Sequence, residues 1–290
     1  MSIFSRAVLG FFSFLISVSV LANQPDFSQP ESAYFYTSGS TDPGVYFISS
    51  TNGDDMGWVS KLAADGSMIN SRWATNLQNP MGMRVYGKRL WINNTTEVVG
   101  INLDDSSDRI VYSIDGAILL NDLATDFSGY AYLSDSMNSR VVRVDLATGE
   151  NSTYISTLPS SPNGLLVQGD RLYIASWGIM SEKPEERAEW ITKTAGDLYW
   201  VSLKESKKVR HIIALELGNL DGVEIDQQGN IYVSDWENGK LYKISSSNKT
   251  VIELGQYEQG LADLGLNSLT GELVLPIMLS SEVLFYTPSP

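Results

Sequence analysis

The chain repeats one pattern of strands and turns six times, at intervals of 50, 40, 42, 58 and 41 residues. The clearest copy runs from Asn219 to Ile244: a strand led by Asp221, a turn carrying Asp226 and Gly229, the strand Ile231-Tyr232-Val233, a turn with Gly239, and a third strand. A second copy, led by Asn121, keeps acidic residues five and fourteen positions further on, at Asp126 and Asp135, without a gap. The others are led by Asn163 in Pro162-Asn163-Gly164, Met81 in Pro80-Met81-Gly82, Ala262 in Leu261-Ala262-Asp263 and Glu31 in Pro30-Glu31. A strand repeat of this length cannot bury its apolar face alone, and six of them stacked side by side close on themselves. The pattern therefore predicts an all-β, six-bladed β-propeller with four-stranded blades around a central channel.

With 290 residues, of which 43% are hydrophobic, the chain can bury a large core, and no linker divides it. The apolar run from Ala7 to Leu21 follows Arg6 and ends in the small residue Ala22, which reads as a secretory signal over 1–22. It is short for a membrane span, which needs about 20 residues, so no lasting membrane anchor is expected. The mature chain is then a single propeller over 23–290, exported to the periplasm or the medium. The last repeat offers only three evident strands, so a segment near the N-terminus is expected to complete it. The fourth repeat is interrupted by a charged insert over 178–193, expected to stand outside any blade and to contain a turn or two of helix.

The chain has no cysteine, which rules out thiol chemistry and disulfides. Its net charge of −14 becomes more negative once Arg6 leaves with the signal, and so acidic a surface repels phosphate backbones. A nucleic-acid partner is not expected. A monomer acting on a small molecule is.

The leading residues Glu31, Met81, Asn121, Asn163, Asp221 and Ala262 occupy one slot of the repeat. The first strand of every blade lines the channel, so this slot forms a ring about the axis. Four of the six side chains bring oxygen: two carboxylates and two amides. Such a set suits one hard divalent cation, Ca²⁺ first, with Mg²⁺ or Mn²⁺ as alternatives. Zn²⁺ more often recruits His or Cys, and the single histidine, His211, falls in an outer strand. Without a cation, two acids facing each other across a narrow channel repel, and one must keep its proton.

Taken together, Pro30-Glu31, Leu120-Asn121-Asp122, Pro162-Asn163-Gly164 and Asp221-Gly222 in six propeller repeats resemble the SMP-30/gluconolactonase/LRE-like family, which includes regucalcin. The resemblance covers nearly the whole mature chain. It implies that Glu31, Asn163 and Asp221 hold the axial cation, that Asn121 contacts substrate, and that the metal assists hydrolysis of sugar lactones. Sugar-lactonase members carry Arg two residues before the position of Asn121, where this chain has Leu119. An apolar side chain cannot fork onto sugar hydroxyls as a guanidinium can. The substrate implied is a less polar lactone or ester.

Two functions stand open. One is a metal-dependent hydrolase of lactones or esters, with Asp221 accepting a proton from water, Asn121 and Leu119 meeting the substrate, and Glu31 with Asn163 holding the metal. The other is a non-catalytic binding or scaffold propeller whose cation only ties the blades together. No nucleotide loop, HExxH or Ser–His pairing is present. Trp91, Trp177 and Trp236, near the ends of second strands, are read as packing between blades, with walls of a pocket mouth as the alternative.

Overall fold

The computed structural model describes residues 18–20, 27–53, 56–156, 158–180, 192–205 and 209–288. The predicted secretory signal falls outside them except for Val18–Val20, as does the middle of the insert, 181–191, with its expected helical turns. The described chain forms six sheets of four antiparallel strands and, besides strands, one 3-10 turn at Ser136–Asn138. The fold is the six-bladed propeller that the repeat demands.

Each blade starts at the axis and works outward. The inner strands are Pro30–Tyr36, Pro80–Tyr86, Leu120–Thr125, Ser161–Gln168, Leu220–Ile225 and Gly265–Leu266, in blades one to six. Outward from them, the order of strands in blades one to five is the order of sequence. The cores lie between consecutive blades. Leu123, Leu133 and Val142 of the third blade pack with Trp91 and Val98 of the second. Leu165, Leu172 and Tyr199 of the fourth meet Tyr132 and Tyr154 of the third. The same sharing recurs at every junction, so each blade's apolar faces are covered by its two neighbours.

The sixth blade takes strands from both ends of the chain. Its outermost strand is Val18–Val20, paired antiparallel with Glu282–Tyr286. Completion from the N-terminal region is thus observed, by a segment lying inside the predicted signal. Cleavage before Asn23 would leave that blade three strands. Closure at the axis is independent of them: Ala33 N–H donates to Asp263 C=O at 3.0 Å and Asp263 N–H to Glu31 C=O at 2.9 Å. Phe27, from the first blade's lead-in, packs with Phe285 of the sixth.

Two expectations need correcting. The insert's ends do not stand outside the blade. The second and third strands of the fourth blade run on into it as Arg171–Met180 and Thr192–Ser202, with Ile179 paired to Thr194 and Met180 to Thr192. Gly178, Ile179 and Met180 on one strand and Thr192, Lys193 and Thr194 on the other show no polar and apolar alternation, so nothing in the sequence signals that pairing continues. The sixth inner strand is shorter than its repeat predicts, because Leu261 and Asp263 make only single bridges before Gly265.

The first five inner strands share an irregularity at one place. In each, two residues oppose one on the second strand: between Pro30 and Ala33, Pro80 and Met83, Leu120 and Leu123, Pro162 and Leu165, and Leu220 and Val223. These are β-bulges, which re-aim side chains locally. The two residues inside each bulge are the leading residue and its successor. Gly164, one such successor, has no room for a methyl group, since a Cβ there would lie 1.8 Å from the backbone oxygen of Asp221. Gly164→Ala should therefore destabilise the fold by about 1–3 kcal/mol, the usual range for overpacking. Chemical denaturation checks it, and an unchanged midpoint would mean that the blades are not packed this closely.

Candidate functional site

The bulges set two rings of side chains at one end of the channel. The first ring is the leading slot. Glu31, Met81, Asn163, Asp221 and Ala262 are buried there, and Asn121 is half-buried. The second ring is formed by the successors Ser32, Gly82, Asp122, Gly164, Gly222 and Asp263. Two of the three glycines stand where a larger successor from the next blade occupies the space. A Cβ on Gly82 would lie 2.1 Å from Asp122 Oδ1, and one on Gly222 would lie 2.6 Å from Asp263 Oδ1.

Serines on the second strands hold the bulges open. The backbone N–H of Ser32 donates to Ser49 Oγ at 2.9 Å, that of Asp122 to Ser134 Oγ at 2.8 Å, and that of Gly222 to Ser234 Oγ at 2.8 Å. These side chains replace ladder partners that the extra residue removes. Asn93, at the matching place in the second blade, donates from Nδ2 to the backbone oxygen of Asn121.

The oxygens of the first ring are left without partners. Glu31 Oε2, Asn121 Oδ1, Asn163 Oδ1 and Asp221 Oδ1 are all buried and accept no hydrogen bond. An unsatisfied buried polar group costs about 1–3 kcal/mol, so four in one ring are a large liability unless something binds them. All four residues singled out from sequence as oxygen donors are the ones so placed. Among the described residues no three His, Cys, Asp or Glu side chains form a metal-holding group. The set here is two carboxylates with two amides. As donors these fit a hard divalent cation: they are oxygen only, carry two negative charges, and come from four different blades.

Electrostatics says the same. Burial, followed by the neighbouring Asp221, Asp263 and Asp122, pushes the Glu31 carboxyl well above the usual range. Burial and Asp122 do so for Asp221. Asp263 is raised by burial and Asp122, against the pull of Arg84 and of the 2.5 Å hydrogen bond from Ser32 Oγ. Sequence reasoning missed Asp122, Asp263, Glu224 and Arg84. The first two follow leading residues directly, and a buried successor in a bulge was the signal available.

The surroundings of the ring are apolar on the side where the inner strands begin. Leu119 is half-buried just before the third inner strand, and its C=O accepts from Ser136 N–H at 3.0 Å. Exposed Met56, Ile118, Met137, Ile179 and Leu279 lie in loops or strand ends on that face. The tryptophans divide. Trp91 is buried between the second and third blades, stacked on Tyr112 with centroids 5.7 Å apart, as read from sequence. Trp177 and Trp236 instead face each other at 5.6 Å beside Asn219, which donates from Nδ2 to the backbone oxygen of Trp177 and whose C=O accepts from Trp236 N–H. Asn219, which ties them together, stands two residues before Asp221 at the ring's end of its blade.

No known family's sequence profile matches the chain, and no curated protein matches it. Among solved structures it superposes on virginiamycin B lyase from Staphylococcus aureus with a TM-score of 0.62 at 12% identity, over 94% of this chain and 99% of that one. It superposes also on a chain of the nidogen/laminin complex with a TM-score of 0.61 at 12% identity, over 84% of this chain and 93% of that one. At this identity the likeness establishes the propeller fold alone.

The raised carboxyls set a pH dependence. A carboxyl whose folded pKa lies above its unfolded value of about 4 binds more protons in the folded state. Its contribution to stability therefore falls as pH rises from that value through the raised one. Glu31, Asp221 and Asp263 act in this sense, and so does Glu224, which burial pushes up to about 7. The exposed Asp42, Asp65, Asp105 and Asp108 are lowered and act only below the usual carboxylate range. In chelator, then, the melting temperature should fall between pH 5 and pH 7.5, and a divalent cation should flatten the fall. A melting temperature that rises over this interval in chelator would contradict the assignment.

Proposed function

We propose that this protein is a metal-dependent hydrolase of weakly polar lactones or esters, working at the ring end of the propeller channel. The observation that carries the reading is the set of four unpartnered buried oxygens on Glu31, Asn121, Asn163 and Asp221. The motif resemblance to the SMP-30/gluconolactonase/LRE-like family points the same way. Glu31, Asn163 and Asp221 would hold one divalent cation, with Ca²⁺ the first choice and Mg²⁺ or Mn²⁺ as alternatives. A cation there would supply the positive charge that polarises an ester carbonyl.

The chain's own residues account for the remaining steps. Asp221 takes the proton from a water that attacks the carbonyl carbon, and as the acyl C–O bond breaks it gives that proton to the departing alkoxide oxygen. Asn121, beside the metal-holding residues and fixed through its backbone by Asn93, orients the substrate through its amide. Leu119 and Ile118, with Trp177 and Trp236 across the ring, offer the substrate apolar contact rather than hydrogen bonds. Buried sugar hydroxyls without partners would each cost about 1–3 kcal/mol here, which favours alkyl or aryl lactones over aldonolactones. The apolar run over 7–21 supports export to the periplasm or the medium.

A second reading is a binding propeller. One of its structural neighbours belongs to the nidogen/laminin complex, and the apolar side chains on the ring's face would serve an interface as well as a substrate.

Assay of the purified protein against alkyl lactones, aryl esters and gluconolactone, in chelator and with added Ca²⁺ or Mn²⁺, separates the two. Hydrolysis should require the cation and be faster for the less polar lactones, and Asp221→Asn should lower kcat by about 10²–10⁴-fold, the range for a general base. Leu119→Arg should shift preference toward gluconolactone. If no lactone or ester is hydrolysed with any divalent ion, the binding reading takes over.

A further inference from the structure

The sixth blade differs from the rest in how its outer edge is made. Blades one to five take all four strands from one continuous stretch of chain, whereas the sixth borrows its outermost strand, Val18–Val20, from the other end. The borrowed strand pairs antiparallel with Glu282–Tyr286: Val18 lies opposite Tyr286, Ser19 opposite Phe285 and Val20 opposite Leu284. It precedes the small-residue cleavage site at Ala22, so the event that exports the chain also strips the blade. Ahead of Phe27 that cut leaves Asn23, Gln24, Pro25 and Asp26. Asn, Pro and Asp are types that strands avoid, and Pro25 has no N–H to give to a ladder. Phe27 itself is held at the junction of blades one and six.

The edge uncovered in this way is well formed for pairing. Bulges blunt an edge strand by twisting it away from would-be partners. The outermost strands of blades one, three, four and five are all bulged against their neighbours. Glu282–Tyr286 is not: its five residues face Leu273–Ile277 in unbroken register, and it contains no Lys, Arg or Pro. Val283 and Phe285 are buried toward blade one, and Leu284 and Tyr286 toward blade five. The strand is therefore anchored through both faces, and without Val18–Val20 it presents a straight row of backbone N–H and C=O groups that need partners.

The strand is also complementary to itself. Turned about a two-fold axis through Leu284, an antiparallel copy sets Leu284 against Leu284, Val283 against Phe285 and Glu282 against Tyr286. Apolar residues meet across the pair, and the one charge meets a tyrosine rather than its own copy. We propose that in the exported chain this edge is a homodimer interface, at which two copies pair their Glu282–Tyr286 strands antiparallel about Leu284. Each copy supplies the fourth strand that the other's sixth blade lacks. The proposal rests on cleavage before Asn23, part of the export reading above, and it confines the monomer expected from sequence to the unprocessed chain.

The full chain expressed with its own leader supplies the exported protein for intact-mass measurement and sedimentation equilibrium. It should start at Asn23 and sediment at twice the chain mass. An excess of a synthetic peptide covering residues 16–22, which carries the displaced strand, should halve that mass. A chain whose cleavage is moved ahead of Ile16 by a foreign leader keeps the strand and should be monomeric. Leu284→Cys, in a chain otherwise without cysteine, should cross-link the exported dimer on oxidation. A protein that starts at Asn23 and is monomeric overturns the proposal and leaves the export reading standing; if it binds the peptide, the edge serves a foreign strand instead. A dimer that survives the peptide, or that Leu284→Cys fails to cross-link, uses another surface and overturns it too. If the exported chain keeps residues 18–20, the cleavage reading fails, and Ser19→Pro with Val20→Pro, which cannot hold the edge, decides the matter: a dimer upholds the proposal and a monomer overturns it.

Discussion

Closing six inner strands around one axis brings five carboxylates, from four blades, into a channel shielded from water. Unit charges about 4 Å apart at an effective dielectric of 20 repel by about 4 kcal/mol, and a whole domain is stable by only about 5–15 kcal/mol. Like charges on this scale cannot stay bare. Protons, an internal guanidinium or bound cations must neutralise them, and the raised carboxyls of Glu31, Asp221 and Asp263 record that demand. The glycines at 82, 164 and 222 belong to the same constraint, because they let the inner strands approach closely enough for the acids to share one space.

The fold was legible because a propeller repeats its physics. Each blade needs the same turn chemistry and the same apolar alternation, so Asp126 and Asp226, or Asp135 and Asp235, appear at equal offsets and mark equivalent corners. The leading slot was legible for the same reason, and the bulges at its position explain why the polar residues there tolerate burial: they face the axis rather than a neighbouring sheet. The strand boundaries were less so, since outer strands such as Met68–Leu77 and His211–Gly218 are solvated and carry no strict pattern.

What stayed hidden depends on contacts between blades. Arg84 meets Leu165 across 81 residues of sequence, and nothing near Arg84 in the chain marks it as a channel residue rather than a surface cation. Glu224 likewise sits in a strand whose alternation allows either face. The second ring could have been found by noticing that Ser32, Asp122 and Asp263 follow leading residues just as Gly82, Gly164 and Gly222 do, but the interlocking of large with small across neighbouring blades is a property of the closed ring. The separation of Trp177 and Trp236 from Trp91 has the same origin: Trp91 lies opposite Arg84, well inside its blade, and the other two pack on each other across two blades beside Asn219.

Arg84 also lies among groups from all the other blades beneath the ring. On the proposed function, a small molecule or ion at the ring would then come and go by the opposite face. Residence time there would be governed by traffic across the face that carries the exposed Met56, Ile118, Met137, Ile179 and Leu279. Anything covering that face would slow arrival and departure together and leave the equilibrium affinity of the site as it was, so occupancy and turnover could be regulated separately in this protein.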